Sequence, residues 1–467
     1  MKKQLLFLTL SCFSVVASAQ KDSIKPMKSQ IPFEGQDATW QNGSDRRDSA
    51  ILSNKYFTGS VMIDVNYTFS GNNPIDHTVV GSTALARNNE MEVSCAAIGG
   101  DFYFNGARGR IMTQFGTRST VVPRNDYSVF RGQYDLANVY RYISEAYGGY
   151  HFNVMHGINV DAGMFMSYVG LNSYYQVENW EYQASYTSDN TPWFFNGMRV
   201  QIFPSAKLKV ELWAINGWQS YGMFNEMPGL GGNITWCPNE NVKLLTNDYF
   251  GNDAALIPGR HRFHSDNSLL VRYYHHKASI GISQMAFSLT GDIGDEKGPG
   301  SDYGAAVNGF KSDTTTGGKG PAQYFASCMF YNRIWFHHNK FAWTIGGGYM
   351  NNPGRYLVLY PTGDASPLPN PANPTSSVGT HAFTANPGDP FEAWDASTNI
   401  EWMPNQSVSF RLEYVHRESN IEYFAGHGGV TSPTGYTSMP GTTSNPTWVP
   451  DLVKSESRII FCILFRI

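Results

Sequence analysis

The strongest constraint in this sequence is a two-residue hydrophobic period. Val61, Ile63, Val65, Tyr67 and Phe69 alternate with Met62, Asp64, Asn66 and Thr68. Successive side chains of a strand point to opposite faces, so one face here is apolar and aromatic and the other polar. The pattern returns at Leu208, Val210, Leu212 and Ala214 against Lys209, Glu211 and Trp213, and at Ala396, Thr398, Ile400 and Trp402 against Asp395, Ser397, Asn399 and Glu401. It appears again at Val408, Phe410, Leu412 and Tyr414 against Ser409, Arg411 and Glu413. Only 15% of the 467 residues are charged, where an average soluble protein has roughly 25%. The mean hydropathy of -0.34 is nevertheless too polar for a bundle of membrane helices. Beyond the first twenty residues the longest unbroken apolar run is Ile459 to Phe465, far short of the ~20 residues a spanning helix needs. A formal net charge of -4 argues against a nucleic-acid partner, which usually calls for a basic face. Two classes survive, a large soluble β protein and a membrane β-barrel, and alternation alone does not separate them.

The N-terminus favours export. Lys2 and Lys3 precede an apolar stretch from Leu5 to Val16 and then Ala17-Ser18-Ala19, the order of a secretory signal peptide, so residues 1–19 are expected to be removed. Thr9-Leu10-Ser11 before Cys12 is a poor lipobox. Loss of Lys2 and Lys3 takes the net charge to -6, and Cys95, Cys237, Cys328 and Cys462 remain. Their wide spacing, without C-x-x-C, reads as structural thiols rather than a disulfide framework or a metal site. Residues 20–54, with Pro26, Pro32 and Gly43, read as a periplasmic extension or short plug, and residues 55–467 as one barrel.

Connection lengths separate the two classes. Sixteen strand-like segments begin near residues 56, 89, 107, 142, 158, 192, 207, 230, 241, 263, 277, 323, 340, 391, 407 and 456. Every second connection is tight: Asn105-Gly106, Met155-His156-Gly157, Pro204-Ser205-Ala206, Pro238-Asn239-Glu240, His275-His276, His337-His338-Asn339 and Pro404-Asn405-Gln406. The others are long, reaching Asn351–Pro390 and Glu418–Ser455. Short turns at one rim and long loops at the other are the pattern of an outer-membrane up-and-down barrel, and an even strand number puts both termini in the periplasm. Lipid offers no hydrogen bonds, so the sheet must close on itself. Sixteen strands enclose more space than side chains fill, which makes a water-lined path.

Longer motifs carry a family likeness. Gly163-Met164-Phe165-Met166-Ser167-Tyr168-Val169-Gly170 leads to Glu178-Asn179-Trp180-Glu181-Tyr182 and Thr191-Pro192-Trp193-Phe194-Phe195-Asn196-Gly197. Pro123-Arg124-Asn125-Asp126, Asn216-Gly217-Trp218-Gln219-Ser220-Tyr221-Gly222, Asn352-Pro353-Gly354-Arg355-Tyr356 and Gly426-His427-Gly428-Gly429-Val430-Thr431 agree with it. From about Asp37 to its end the chain resembles the OmpL-like β-barrel porin family, the β-barrel porin-2 group found mainly in Bacteroidetes. The resemblance implies an outer-membrane porin of a Gram-negative bacterium, passing small hydrophilic solutes passively. It implies no catalytic residues and no cofactor, and outer-membrane lipid and the assembly machinery as partners. Outer-membrane barrels as a wider class often end in Phe, whereas this chain ends in Phe465-Arg466-Ile467. Association into a homo-oligomer stays open.

Charged residues on the polar parity are the pore-lining candidates: Asp64, Glu92, Arg110, Glu145, Asp161, Arg199, Glu211, Arg272, Arg411 and Glu413. Rings of opposite charge bias which ions pass; the competing reading is that cross-strand pairs simply hold the wall together. The connection Leu171–Thr191 is a candidate constriction, with Tyr174, Tyr175, Trp180 and Tyr182 either stacking on sugar faces or packing the loop and the interfacial girdle. Arg417 and Tyr423 stand at the base of the last long loop, whose Gly426–Gly429 cluster permits close backbone approach. His275-His276 and His337-His338 are adjacent pairs whose side chains diverge on a strand, so neither grips a metal. Asp292-Ile293-Gly294-Asp295-Glu296 reads as a loose calcium-binding stretch in an external loop without the spacing of an EF-hand. No H-E-x-x-H, G-x-S-x-G or P-loop string occurs. A TonB-dependent transporter needs about 22 strands and a globular plug, more than the residues before Tyr56 supply. The rival functional class is a substrate-specific channel, for an oligosaccharide for example, or a surface receptor barrel.

Overall fold

The computed structural model describes Phe33, residues 36–123, Asp126, Ser128, residues 131–223, 226–253, 259–298, 322–359, Pro361, 369–370, 373–377, 390–436 and 448–467. The expected signal peptide, and the extension before Phe33, lie outside the described residues.

Sixteen antiparallel strands form one closed barrel in chain order. They are β1 (Phe57–Ser70), β2 (Met91–Phe104), β3 (Ala107–Thr113), β4 (Ile143–Phe152), β5 (Ile158–Met166), β6 (Phe194–Ser205), β7 (Leu208–Ile215) and β8 (Gly229–Asn239). The other half comprises β9 (Val242–Gly251), β10 (His261–His275), β11 (Ile282–Lys297), β12 (Tyr324–Phe336), β13 (Phe341–Asn351), β14 (Glu392–Trp402), β15 (Val408–Ser419) and β16 (Ser455–Arg466). Closure runs from Met62 opposite Arg466 to Ser70 opposite Arg458, so the last strand pairs with the first and no edge is left open. Among the described residues no helix is long and apolar enough to cross a membrane, which has no bearing on a barrel that crosses with strands.

The alternation decides which face is which. Leu212 is 56% exposed and Ile400 63%, while their neighbours Glu211 and Glu401 are buried. The apolar face therefore looks outward and the polar face inward, the reverse of a soluble sandwich. Tight turns gather at one rim. Asn105 and Gly106 turn β2 into β3 with φ of 48° and 84°, the double positive φ of the hairpin turn that matches strand twist. Pro204 and Pro238 fall where the ladder is irregular, between Ile202 and Ser205 and between Trp236 and Asn239, so their missing N–H costs no regular pair. The β10–β11 turn differs from the expected His275-His276 pair. His275 is still in the strand, and the connection runs over 276–281, stitched by Ser279 N to His276 O and His276 N to Ser283 O.

The stretch Asp292–Glu296 also differs from expectation. It lies inside β11 rather than in an external loop, with Asp292 and Glu296 facing inward and Glu296 held by Arg260 at 2.7 Å and Arg262 at 2.5 Å. Three acidic residues around a glycine imitate a loop motif, but the pairing with β10 and β12 wins.

Candidate solute pathway

The ten charged pore-lining candidates all sit on the inward parity of their strands, and each is engaged. Arg110 bridges Asp101 at 2.7 Å and Glu145 at 2.6 Å. Arg199 meets Asp161 at 2.9 Å and lies over the rings of Tyr147 and Phe165. Glu211 pairs with Lys209 at 2.8 Å, and Glu92 accepts from Arg87 N at 3.0 Å. Asp64, Glu413 and Arg411 reach past the wall to the β5–β6 loop, and Arg272 reaches residues before β1. Cross-strand pairing and loop anchoring thus take most of the charge that the sequence places in the lumen.

The β5–β6 loop, residues 167–193, folds inward. Its tip is buried from Trp180 to Thr191, and its backbone is satisfied by the wall. Glu413 accepts Tyr182 N and Gln183 N, both at 2.7 Å, one oxygen for each. Asp395 accepts Tyr186 N and Ser185 Oγ at 2.9 Å. The carbonyl of Trp180 accepts from Arg333 Nη1 at 3.1 Å and Asn399 Nδ2 at 3.0 Å, and that of Asn179 from Arg411 Nη2 at 2.8 Å. Tyr182 donates to Asp64 at 2.8 Å. Burial raises the Glu181 carboxyl above its ordinary range, with hydrogen bonds from Asn172 and Asn42 pulling the other way.

Asp189, in the short helix Tyr186–Asp189, is the hub of the loops. Arg417 Nη2 reaches its Oδ2 at 2.6 Å and the Ala184 carbonyl at 2.5 Å, and Nη1 donates to Gly81 O in the β1–β2 connection. Thr83 of that connection donates N and Oγ1 to Asp189 Oδ1 at 3.0 and 2.7 Å. The last long loop joins through Asp76, which accepts from Val430 N at 2.7 Å and Thr431 N at 2.8 Å. Gly429 has φ +73°, and a Cβ there would meet the Asp76 carboxyl carbon at 2.8 Å, so the glycine cluster serves a close approach. Tyr423 is buried and donates to Leu359 O at 2.7 Å.

The aromatic candidates are packed rather than presented. Trp180 stands edge-on to Trp335 with centroids 5.5 Å apart, and Tyr174 meets Trp193 at 6.2 Å. Tyr175 bonds Ser144 at 2.8 Å. None of Tyr174, Tyr175, Trp180 and Tyr182 lies in the outer girdle; all four are buried against the lumen wall.

Residues 36–48 form a strap across the short-turn mouth. Gln36 Nε2 donates to Cys237 O at 3.1 Å and Trp40 Nε1 to Glu240 O at 3.0 Å, while Asp37 pairs with Arg272 at 2.5 Å. At the far side Arg46 donates to Val408 O at 2.9 Å and Asp45 lies 3.4 Å from Arg466. The strap also touches the loop, through Trp180 N to Asn42 Oδ1 at 2.9 Å. Gln41 and Ser44 line two cavities. One, of about 480 Å³, lies against β4–β9 and is lined by Glu145, Arg199, Glu211, Trp213 and Lys243. The other, of about 270 Å³, lies against β12–β15 and is lined by Arg46, Arg333, Glu401 and Arg411.

Arg333, Asp395, Glu401, Arg458 and the strap's Arg46 were not singled out from sequence. The first four share the inward parity of the named candidates, which was the available signal; Arg46 sits in irregular chain where no period exists. Among the described residues no three His, Cys, Asp or Glu side chains are placed to hold a metal ion. His337 and His338 sit in the β12–β13 turn.

The fold is similar to several solved outer-membrane proteins at low identity. The channel DcaP of Acinetobacter baumannii aligns at 10% identity and a TM-score of 0.48, over 90% of this chain and 100% of that one. An anion-selective porin from Comamonas acidovorans aligns at 9% and 0.47, over 88% and 99%. OprD from Pseudomonas aeruginosa aligns at 9% and 0.36, over 91% and 97%. No curated protein matches in sequence. Residues 56–439, from just before β1 into the last long loop, so that β16 alone of the sixteen strands falls outside, match the family model described as "Putative beta-barrel porin-2, OmpL-like", and the chain belongs to that family of porins.

Proposed function

We propose that this outer-membrane porin is a narrow filter, passing small hydrophilic solutes by passive diffusion beside an anchored loop. The observation that carries this reading is one-sided anchoring. The loop tip is bonded to β12, β14, β15, β16 and β1, while the 480 Å³ cavity lies on the opposite side, against β4–β9. A solute moving there passes Arg199, Lys209, Lys243, Glu145 and Glu211, so size and charge are both sampled. The short-turn rim and both chain ends face the periplasm in this reading, residues 1–19 are a cleaved leader, and the alternating end Ile459–Ile467 is presented to the assembly machinery. No catalytic step is required of any residue.

A substrate-specific channel, for an oligosaccharide for example, is the second reading. It is favoured by three aromatic residues that border the same cavity, Trp213, Tyr174 and Trp193, each almost wholly packed against its neighbours. Planar-bilayer recordings separate the two. Small ohmic currents insensitive to sugars support the filter, and saturable sugar block supports the specific channel. Folded protein that inserts and carries no current at all would overturn both.

A further inference from the structure

The smaller cavity has more positive charge than its contacts consume. Three guanidinium groups surround one carboxylate. Glu401 of β14 is bonded by Arg333 Nη2 and lies 3.3 Å from Arg411 Nη2, and Arg46 of the strap is electrostatically coupled to all three of these side chains. Arg333 and Arg411 are 3% and 1% exposed. Of the other carboxylates at this cavity, Glu178 is paired with Arg466, and Asp48 accepts from the neutral Gln406 Nε2 at 2.7 Å within the same lining, so the three guanidiniums face Glu401 and Asp48. Several donors remain without a partner among the described residues: Arg46 Nε, Arg333 Nε, and Arg411 Nε and Nη1. A buried guanidinium N–H left unpaired is costly, and forked N–H groups match the oxygens of phosphate and carboxylate. Lys277 and Lys340 add two exposed cations at the same rim.

We propose that the cavity between the strap and β12–β15 binds a small multivalent oxyanion, held by Arg46, Arg333 and Arg411 and drawn in past Lys277 and Lys340. Arg46 belongs to the strap and the other two to the wall, so a bound anion also ties strap to wall. Glu401 fixes the two wall guanidiniums in place and competes with the ligand for them. The proposal rests on the porin reading only for the route by which the anion arrives.

Binding is measured by titration calorimetry on the full detergent-solubilised chain, with inorganic phosphate and citrate as probes and glucose as the uncharged control. Phosphate or citrate is expected to bind, with affinity falling as ionic strength rises, and glucose to give no heat. Preference for phosphate over citrate, or the reverse, assigns phosphoryl or carboxylate solutes. The double variant Lys277→Gln/Lys340→Gln, confined to exposed side chains, weakens binding about fivefold, as two unit charges acting through water across roughly 8 Å do. Arg46→Gln weakens it by about tenfold or more, as loss of a charged donor does. No heat with either anion, or binding indifferent to both variants, overturns the site. Anion binding with no bilayer current leaves the site standing and removes the porin reading, whereas current without anion binding does the converse.

Discussion

Replacing Arg417 by Met keeps most of the stem volume and removes the charge that gathers three chain segments. In the native arrangement Arg417 and Asp189 are both fully buried, 2.6 Å apart. The same guanidinium also donates to Ala184 O and Gly81 O and lies 4.3 Å from the Tyr186 ring centre. Breaking a buried ion pair by removing one partner costs roughly 3–5 kcal/mol. The lower end applies here, since Asp189 keeps the donors Thr83 N, Thr83 Oγ1 and Gln183 Nε2. About 3 kcal/mol, at roughly 1.4 kcal/mol per factor of ten, multiplies the population with residues 184–189 detached by on the order of a hundred. Glu413 still holds Tyr182 and Gln183, so the loop frays at its distal half rather than leaving the lumen. Single-channel recordings in planar bilayers are expected to show added open-channel noise and a larger mean conductance. Asp189→Asn produces the same change, and the double variant costs less than the sum of the two, since the sites share a bond. Arg417→Met protein that folds, inserts and conducts with wild-type amplitude and noise would show that the anchor does not set the pathway.

Three further outcomes follow from the same geometry. Tyr182→Phe removes the hydroxyl bonded to Asp64 and lying 3.1 Å from Ser94 Oγ; it is expected to cost about 1–3 kcal/mol, read as a lower thermal midpoint in detergent, with an unchanged midpoint refuting the bond. Trp40→Ala empties a fully buried site in the strap and is expected to raise conductance by joining the two mouth cavities, with susceptibility of the strap to protease as a second readout. Burial alone would raise the Asp76 carboxyl, but hydrogen bonds from Thr431, Val430 and Thr78 outweigh it and hold it below its ordinary 3.8. Its stabilisation is therefore complete above the unfolded-state value and lost as pH falls through the lower folded value. Acidification below that range should free the last long loop, measured as faster proteolysis there, and Asp76→Asn should remove the pH step.

The wall was legible because its period is enforced by two solvents. Lipid on one side and polar contents on the other leave Ile400 and Glu401 no alternative faces, and a slip of one residue would exchange them. Strand starts expected near 107, 158 and 207 fall at Ala107, Ile158 and Leu208 for that reason. The inward loop was legible only as a length with aromatics in it. What its aromatics touch is set by residues two hundred positions away, as with Tyr182 N on Glu413, and no local period reports such a contact. The strap was less visible still, because its side chains answer to the rim carbonyls of Cys237, Glu240 and Val408 rather than to any neighbour in sequence. Parity correctly points Asp64 and Arg272 inward; it carries no information on whether a charge faces water or another chain segment.

The strap also imposes an order of events. Its partners include Glu240, Val408, 362 positions from Arg46, and Arg466, which pairs with Asp45 from the strand that closes the ring. Residues 36–48 precede every strand of the wall in the chain, yet the part of their seat that Arg466 supplies is complete only when the final strand has paired with the first. Each long-range tie carries the closure entropy of a span that the completed wall has already shortened, so seating is cheap after closure and expensive before it. A segment that precedes the wall in the chain is therefore the last to settle, and its protection from protease is a timestamp for a finished barrel.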